Sequence, residues 1–280
     1  MRTDNLIIIG LALVSVAFSV VVIMRWGRLP IQASTPSGNR SDGRWRSRLA
    51  GPLRSIGAVC SAGIICGVIV AGFLGRFVMR VLAATSGDSA QGALTDAEEV
   101  VGEITLDGTI GFILFVGLGA GFVATFVLLL ARPWLHVGGA VAGVMSGLTP
   151  LVLLGGADFS SENRDFSILS PTWLAVGLIV GGAALFGAAL GSVAARLQQT
   201  AHGNSRFRNV PILGVIPFAL PPPLFVGLVV YMIGRTALPG RLSTALEQRS
   251  IQLAGRVLIA GLVGLSLFLI VRSSVDILSI

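Results

Sequence analysis

The sequence predicts an all-α fold: a polytopic bundle of transmembrane helices forming a single domain over residues 1–280. Three observations carry that prediction. Hydrophobic residues make up 54% of the chain and charged residues 12%, with a mean hydropathy of +0.87, whereas water-soluble domains are about 25% charged. The apolar residues gather into seven segments near the length of about 20 that a helix needs to cross a hydrocarbon core of about 30 Å. Charges fall between the segments, and only the last segment contains one, Arg256.

The first segment, Leu6 to Met24, is longer than the apolar core of a signal peptide. It is followed by Arg25-Trp26-Gly27-Arg28 where small residues would mark a cleavage site, so it reads as a retained helix. The connection that follows, within residues 25–54, holds Arg25, Arg28, Arg40, Arg44, Arg46, Arg48 and Arg54 against Asp42 alone. Arginine marks the cytoplasmic side, which makes this a basic cytoplasmic loop and the N-terminus extracytoplasmic. Pro30 to Gly43 is too polar to fold alone. Arg44, Trp45, Arg46 and Arg48 suit contact with anionic lipid headgroups at about 1 kcal/mol per arginine, a simpler reading than nucleic-acid binding.

Ser55 to Gly75 is the second span, and residues 81–108 form an acidic extracytoplasmic loop carrying Asp88, Asp96, Glu98, Glu99, Glu103 and Asp107. Within that loop Thr95-Asp96-Ala97-Glu98 predicts a capped short helix, and Asp107-Gly108 a turn. Arg76 and Arg80, four residues apart on one helical face, are candidates for pairing with the loop or for holding an anion or lipid headgroup. Thr109 to Ala131, Val137 to Ala157 and Trp173 to Ala195 follow as spans three to five. Arg132, Arg196, Arg206 and Arg208 fall inside and Asp158, Glu162 and Asp165 outside, while Trp26, Trp134 and Trp173 flank spans as interfacial anchors.

The sixth segment, Val210 to Ile233, is broken by Pro211, Pro217 and the triplet Pro221, Pro222 and Pro223, through which no regular helix passes undisturbed. Irregular backbone at membrane depth survives only against protein or a watery cavity, which makes the triplet a candidate ligand contact beside the plainer reading of a kinked helix. In the seventh segment, Ile251 to Val271, the 15 residues after Arg256 span only about 22 Å, so Arg256 must lie just inside one end and reach the headgroups. Seven crossings place Arg235, Arg241 and Arg249 outside, against the arginine rule. Two half-helices that enter and leave on the cytoplasmic side would remove the anomaly, but 24 apolar residues suffice to cross with a kink and late loops often yield to the topology set by the first spans, so seven crossings is the reading kept and re-entry the alternative.

Chemistry within the spans is sparse. None of the segments contains Asp, Glu or His, the groups that coupled transport usually keeps at depth. Cys60 and Cys66 point to roughly opposite helical faces, and His136 and His202 are far apart in sequence, so no disulfide, metal site or cofactor is expected. Gly143-Val144-Met145-Ser146-Gly147 lacks the spacing of an intramembrane protease, and no nucleotide-binding motif occurs. Small residues instead recur every four positions: Gly63, Gly67, Ala71 and Gly75; Gly117 and Gly121; Gly139, Gly143 and Gly147; Gly177 and Gly181; Ala183, Gly187 and Gly191. Such stripes predict close helix contacts.

The run Gly75-Arg76-Phe77-Val78-Met79-Arg80-Val81-Leu82-Ala83-Ala84-Thr85, with Ile104-Thr105-Leu106-Asp107-Gly108-Thr109, resembles uncharacterised multi-pass membrane proteins of actinobacteria. The resemblance covers at most a third of the chain and implies a bacterial cell-membrane protein without assigning an activity. Arginine as the only basic residue besides histidine, together with 37 glycines, fits a GC-rich bacterial genome. The expected function is a non-catalytic membrane scaffold or accessory subunit with a membrane protein partner. The alternative is a transporter or channel-like protein for a small or neutral ligand that uses the broken segment.

Overall fold

A computed structural model describes residues 3–31, 45–88, 90–96, 100–103, 105–132, 134, 137–153, 159–202, 214–219 and 249–279. Apart from turns, these residues are helical, with two isolated antiparallel bridges, Pro30 to Gly138 and Leu94 to Val100. Helix α1 is Thr3–Trp26, and α2, Trp45–Cys66, runs through a π-helical stretch, Gly67–Leu74, into α3, Gly75–Thr85. Helix α4, Leu106–Phe112, likewise continues through a π-helical stretch, Ile113–Gly117, into α5, Leu118–Ala131. The remaining helices are α6 (Gly139–Leu153), α7 (Arg164–Ile168), α8 (Thr172–His202) and α9 (Arg249–Leu278).

Five stretches are long and apolar enough to cross a membrane: Ile9–Trp26, Gly51–Thr85, Leu106–Ala131, Thr172–Ala201 and Arg249–Leu278. Gly139–Val152 is a shorter apolar helix within the predicted fourth span. Of the sixth segment only residues 214–219 are described. Gly214 is buried against Gly57 and Ser61 of α2, and Ile216–Ala219, which includes Pro217, forms a 3₁₀ turn. Pro221, Pro222 and Pro223 lie outside the described residues.

Glycine decides how the helices meet. A Cβ on Gly67 would lie 2.5 Å from the carbonyl oxygen of Gly117, and one on Gly121 would lie 2.6 Å from that of Gly63, so the stripes of α2 and α5 sit backbone to backbone. The same seam joins α6 to α8, where Gly143 faces the Gly187 carbonyl and Gly191 the Gly139 carbonyl. Gly177 and Gly181, also expected at a contact, have no atom within 4 Å of a built Cβ among the described residues. The reason is angular: Gly181 precedes Ala183 by two positions, about 200° around a helix, so the two stripes of α8 look in opposite directions. Val59, Val70, Leu128, Phe186 and Leu190 fill the core around these seams.

The two ends of the bundle differ in charge. At one end Arg196 stacks on Trp26 with 5.8 Å from its guanidinium carbon to the ring centroid, and Leu29 accepts from the Gly139 amide at 2.8 Å. Gln198, fully buried, donates there to the Ser55 hydroxyl at 3.0 Å, and Gly255 of α9 packs on the Trp134 indole. At the other end Asp165 Oδ1 accepts from the Asp96 amide at 2.9 Å, and the Ser86 hydroxyl from the Ser170 amide at 2.9 Å. Ile270 and Ile277 of α9 join Val78, Leu82, Phe159 and Phe166 in a second apolar cluster at this end. Helix α9 therefore starts at the end where α8 finishes. Seven alternating crossings would put His202 and Arg249 at opposite ends, whereas the described helices put them at the same one.

Candidate functional site

The described residues enclose a cleft of about 500 Å3 at the carboxylate-rich end, between α3, Thr95 with residues 100–103, and the start of α4. Its floor follows from local sequence. Thr105, in extended conformation, caps α4 by accepting from the Gly108 amide at 3.3 Å, so Asp107 and Gly108 lie in the first helical turn rather than in the turn expected of them. Asp107 in that turn complements the positive helix end. The capped helix expected from Thr95 to Glu98 runs into residues 97–99, which lie outside the described residues. Leu94 bridges to Val100, and the Val101 amide donates to the Ala93 carbonyl at 2.9 Å.

Arg76 and Arg80 leave α3 on the cleft side, as their spacing implied. Arg80 donates to the Gly102 carbonyl at 3.0 Å, tying loop to helix through the main chain rather than through a carboxylate. Gly102 has φ of +92°, which favours glycine, and a Cβ there would fall on the Gln91 side-chain oxygen. Gln91 in turn donates to the Ala83 carbonyl at 2.7 Å. Arg76 donates to the Thr109 hydroxyl at 3.4 Å and lies over the Phe112 ring, 5.5 Å from guanidinium carbon to centroid. Glu103 and Asp107, both exposed, line the same cleft, so it carries both signs of charge.

One turn further along both helices, the π-helical stretches Gly67–Leu74 and Ile113–Gly117 face each other across glycines, a Cβ on Gly117 lying 2.7 Å from the Gly67 carbonyl oxygen. Single π turns concentrate at functional sites, and here the short stretch Ile113–Gly117 contributes Phe115 and Val116 to the cleft. Phe115, 82% exposed, and Val116 extend its wall onto the apolar surface of the bundle. Comparison with known protein families, characterised proteins and solved structures finds no match. The site is therefore read from its own chemistry.

The other candidate residues are not part of this cleft. Arg256 is exposed in the second turn of α9 at the opposite end of the bundle, near Trp134, where a snorkelling arginine belongs. Arg46 and Arg48 begin α2, their side chains outside the described set, as are Arg44 and the proline triplet. Ser146 is buried and bonds back to the Ala142 carbonyl at 3.0 Å, as helical serines do. Among the described residues no three His, Cys, Asp or Glu side chains cluster as metal ligands. Glu103, Phe112 and Phe115 were not foreseen as site residues. The only sequence signal for the two rings is their spacing of three, which places them on neighbouring parts of one helical face.

Proposed function

We propose that the chain is a six-span protein of a bacterial cell membrane that works as a non-catalytic scaffold or accessory subunit. The observation that supports this reading is the filled interior: glycine carbonyls and Cα atoms occupy both helix seams, and large apolar side chains pack around them. The six-span topology rests on His202 and Arg249 sharing one end. A chain that leaves and returns at the same end makes no crossing between, or two. The single apolar segment there, Val210 to Ile233, falls short of the roughly 40 residues two crossings need. With Arg25, Arg28, Arg132, Arg196, Arg249 and Arg256 at that end, the arginine rule makes it cytoplasmic and puts both termini outside.

A transporter is the second reading, favoured by His202 and Arg249 sharing one end, because segments that return to their own side are how broken helices build ligand sites. Proteoliposomes separate the two. A scaffold leaves the efflux of glycerol and urea at the rate of protein-free vesicles. Faster efflux that disappears when Pro221, Pro222 and Pro223 are replaced by Leu would overturn the scaffold reading.

A further inference from the structure

We propose that the cleft beside Arg76 and Arg80 binds the headgroup of a zwitterionic phospholipid bearing a primary amine, with the acyl chains leaving along Phe115 and Val116. The volume of about 500 Å3 lies within the range of roughly 300–1,000 Å3 seen for small-molecule sites. Its chemistry divides in the way such a headgroup does. Arg80 lines the cleft and uses one N–H on the Gly102 carbonyl, while a guanidinium has five to give, a donor set suited to a phosphate. Arg76, fixed over Phe112, adds a second cation on the same helical face. Glu103 and Asp107 supply anionic acceptors in the same cleft, which a phosphate alone would be repelled by and an ammonium group completes.

Position points to a lipid rather than a soluble zwitterion. The polar groups stand where α4 begins, and one turn further along that helix the wall continues into Phe115 and Val116, both exposed large apolar residues. The paired π-helical stretches lie under this wall, with glycines holding the two backbones together and leaving the rings on the outside. A ligand with a charged head and apolar tails fits a cleft that is charged above and open to the bilayer below.

Native mass spectrometry of the detergent-solubilised protein tests this with four probes: phosphatidylethanolamine, phosphatidylglycerol, phosphoethanolamine and inorganic phosphate. Phosphatidylethanolamine should bind at about one copy and at least about tenfold more tightly than phosphatidylglycerol, as expected where a charge-assisted contact is made by one ligand and not by the other. Phosphoethanolamine and phosphate should compete only weakly, because they lack the chains. Arg80→Gln should reduce phosphatidylethanolamine binding. Because Arg80 also holds the loop, the double variant Glu103→Gln and Asp107→Asn is the sharper probe: both side chains are exposed, and their neutralisation should shift preference toward phosphatidylglycerol. Equal binding of the two lipids by the parent, unchanged preference in the double variant, or phosphate competing as well as the lipid would each overturn the proposal.

Discussion

At the residue scale, the bundle depends on what glycine lacks. Gly143→Ala puts a methyl group on the Gly187 carbonyl, and Gly67→Leu drives a side chain against the Gly117 carbonyl, so each forces a backbone apart. Overpacking of this kind costs about 1–3 kcal/mol. Thermal unfolding in detergent should show both losses, while Gly177→Ala, with open space around it, should leave the midpoint where it was. Unchanged stability of Gly143→Ala would mean that α6 and α8 do not meet along this stripe. Gly102 is a different case, since its demand is conformational. A left-handed φ disfavours a side chain by roughly 1–2 kcal/mol, and Gly102→Ala should raise the protease sensitivity of the outer loop with little effect on the helices.

At the element scale, the helices with the longest uninterrupted apolar runs were legible, because length and hydrophobicity alone decide whether a segment suits a bilayer. Four of the five small-residue stripes were legible as contacts for the same reason. Gly177 and Gly181 were not, since a spacing of four says that residues share a face but not which way the face looks. The cleft was legible only as Arg76 and Arg80. Its remaining walls come from residues beside the Leu94–Val100 bridge and from Phe115 and Val116 of a π-helical stretch that no spacing rule announces. Buried polar pairing was likewise invisible: Gln198 and Ser55 are 143 positions apart, yet they bond inside the bundle. Gln198→Ala removes that donor and should lower stability by about 1–3 kcal/mol in the same unfolding assay. A value near zero would assign the Ser55 hydroxyl another partner.

At the scale of the whole molecule, the prediction concerns sidedness. In a background with Cys60 and Cys66 replaced by Ala, Ser37→Cys and Ser243→Cys should both be protected from an impermeant thiol reagent in intact cells. Ser89→Cys and Ser279→Cys should both react. Labelling at Ser243 from outside would restore seven crossings, and labelling at Ser37 would invert the protein. The expected pattern brings Arg249 and Arg256 to the same side as Arg25, Arg132 and Arg196, and so removes the exception that seven crossings create.

That division of charge makes the folded bundle an electrical dipole lying along the membrane normal. Asp88, Asp96, Glu103, Asp107, Glu162, Asp165 and Asp276 are at one end, and the arginines of the loops and helix ends predominate at the other. An elementary charge carried across the full membrane potential changes energy by about 2.3 kcal/mol per 100 mV. In the proposed topology a cell that is negative inside therefore favours this orientation of the molecule over the inverted one. In that topology the potential works against copies inserted both ways round, the arrangement from which antiparallel membrane dimers are built, and favours assemblies whose copies point the same way.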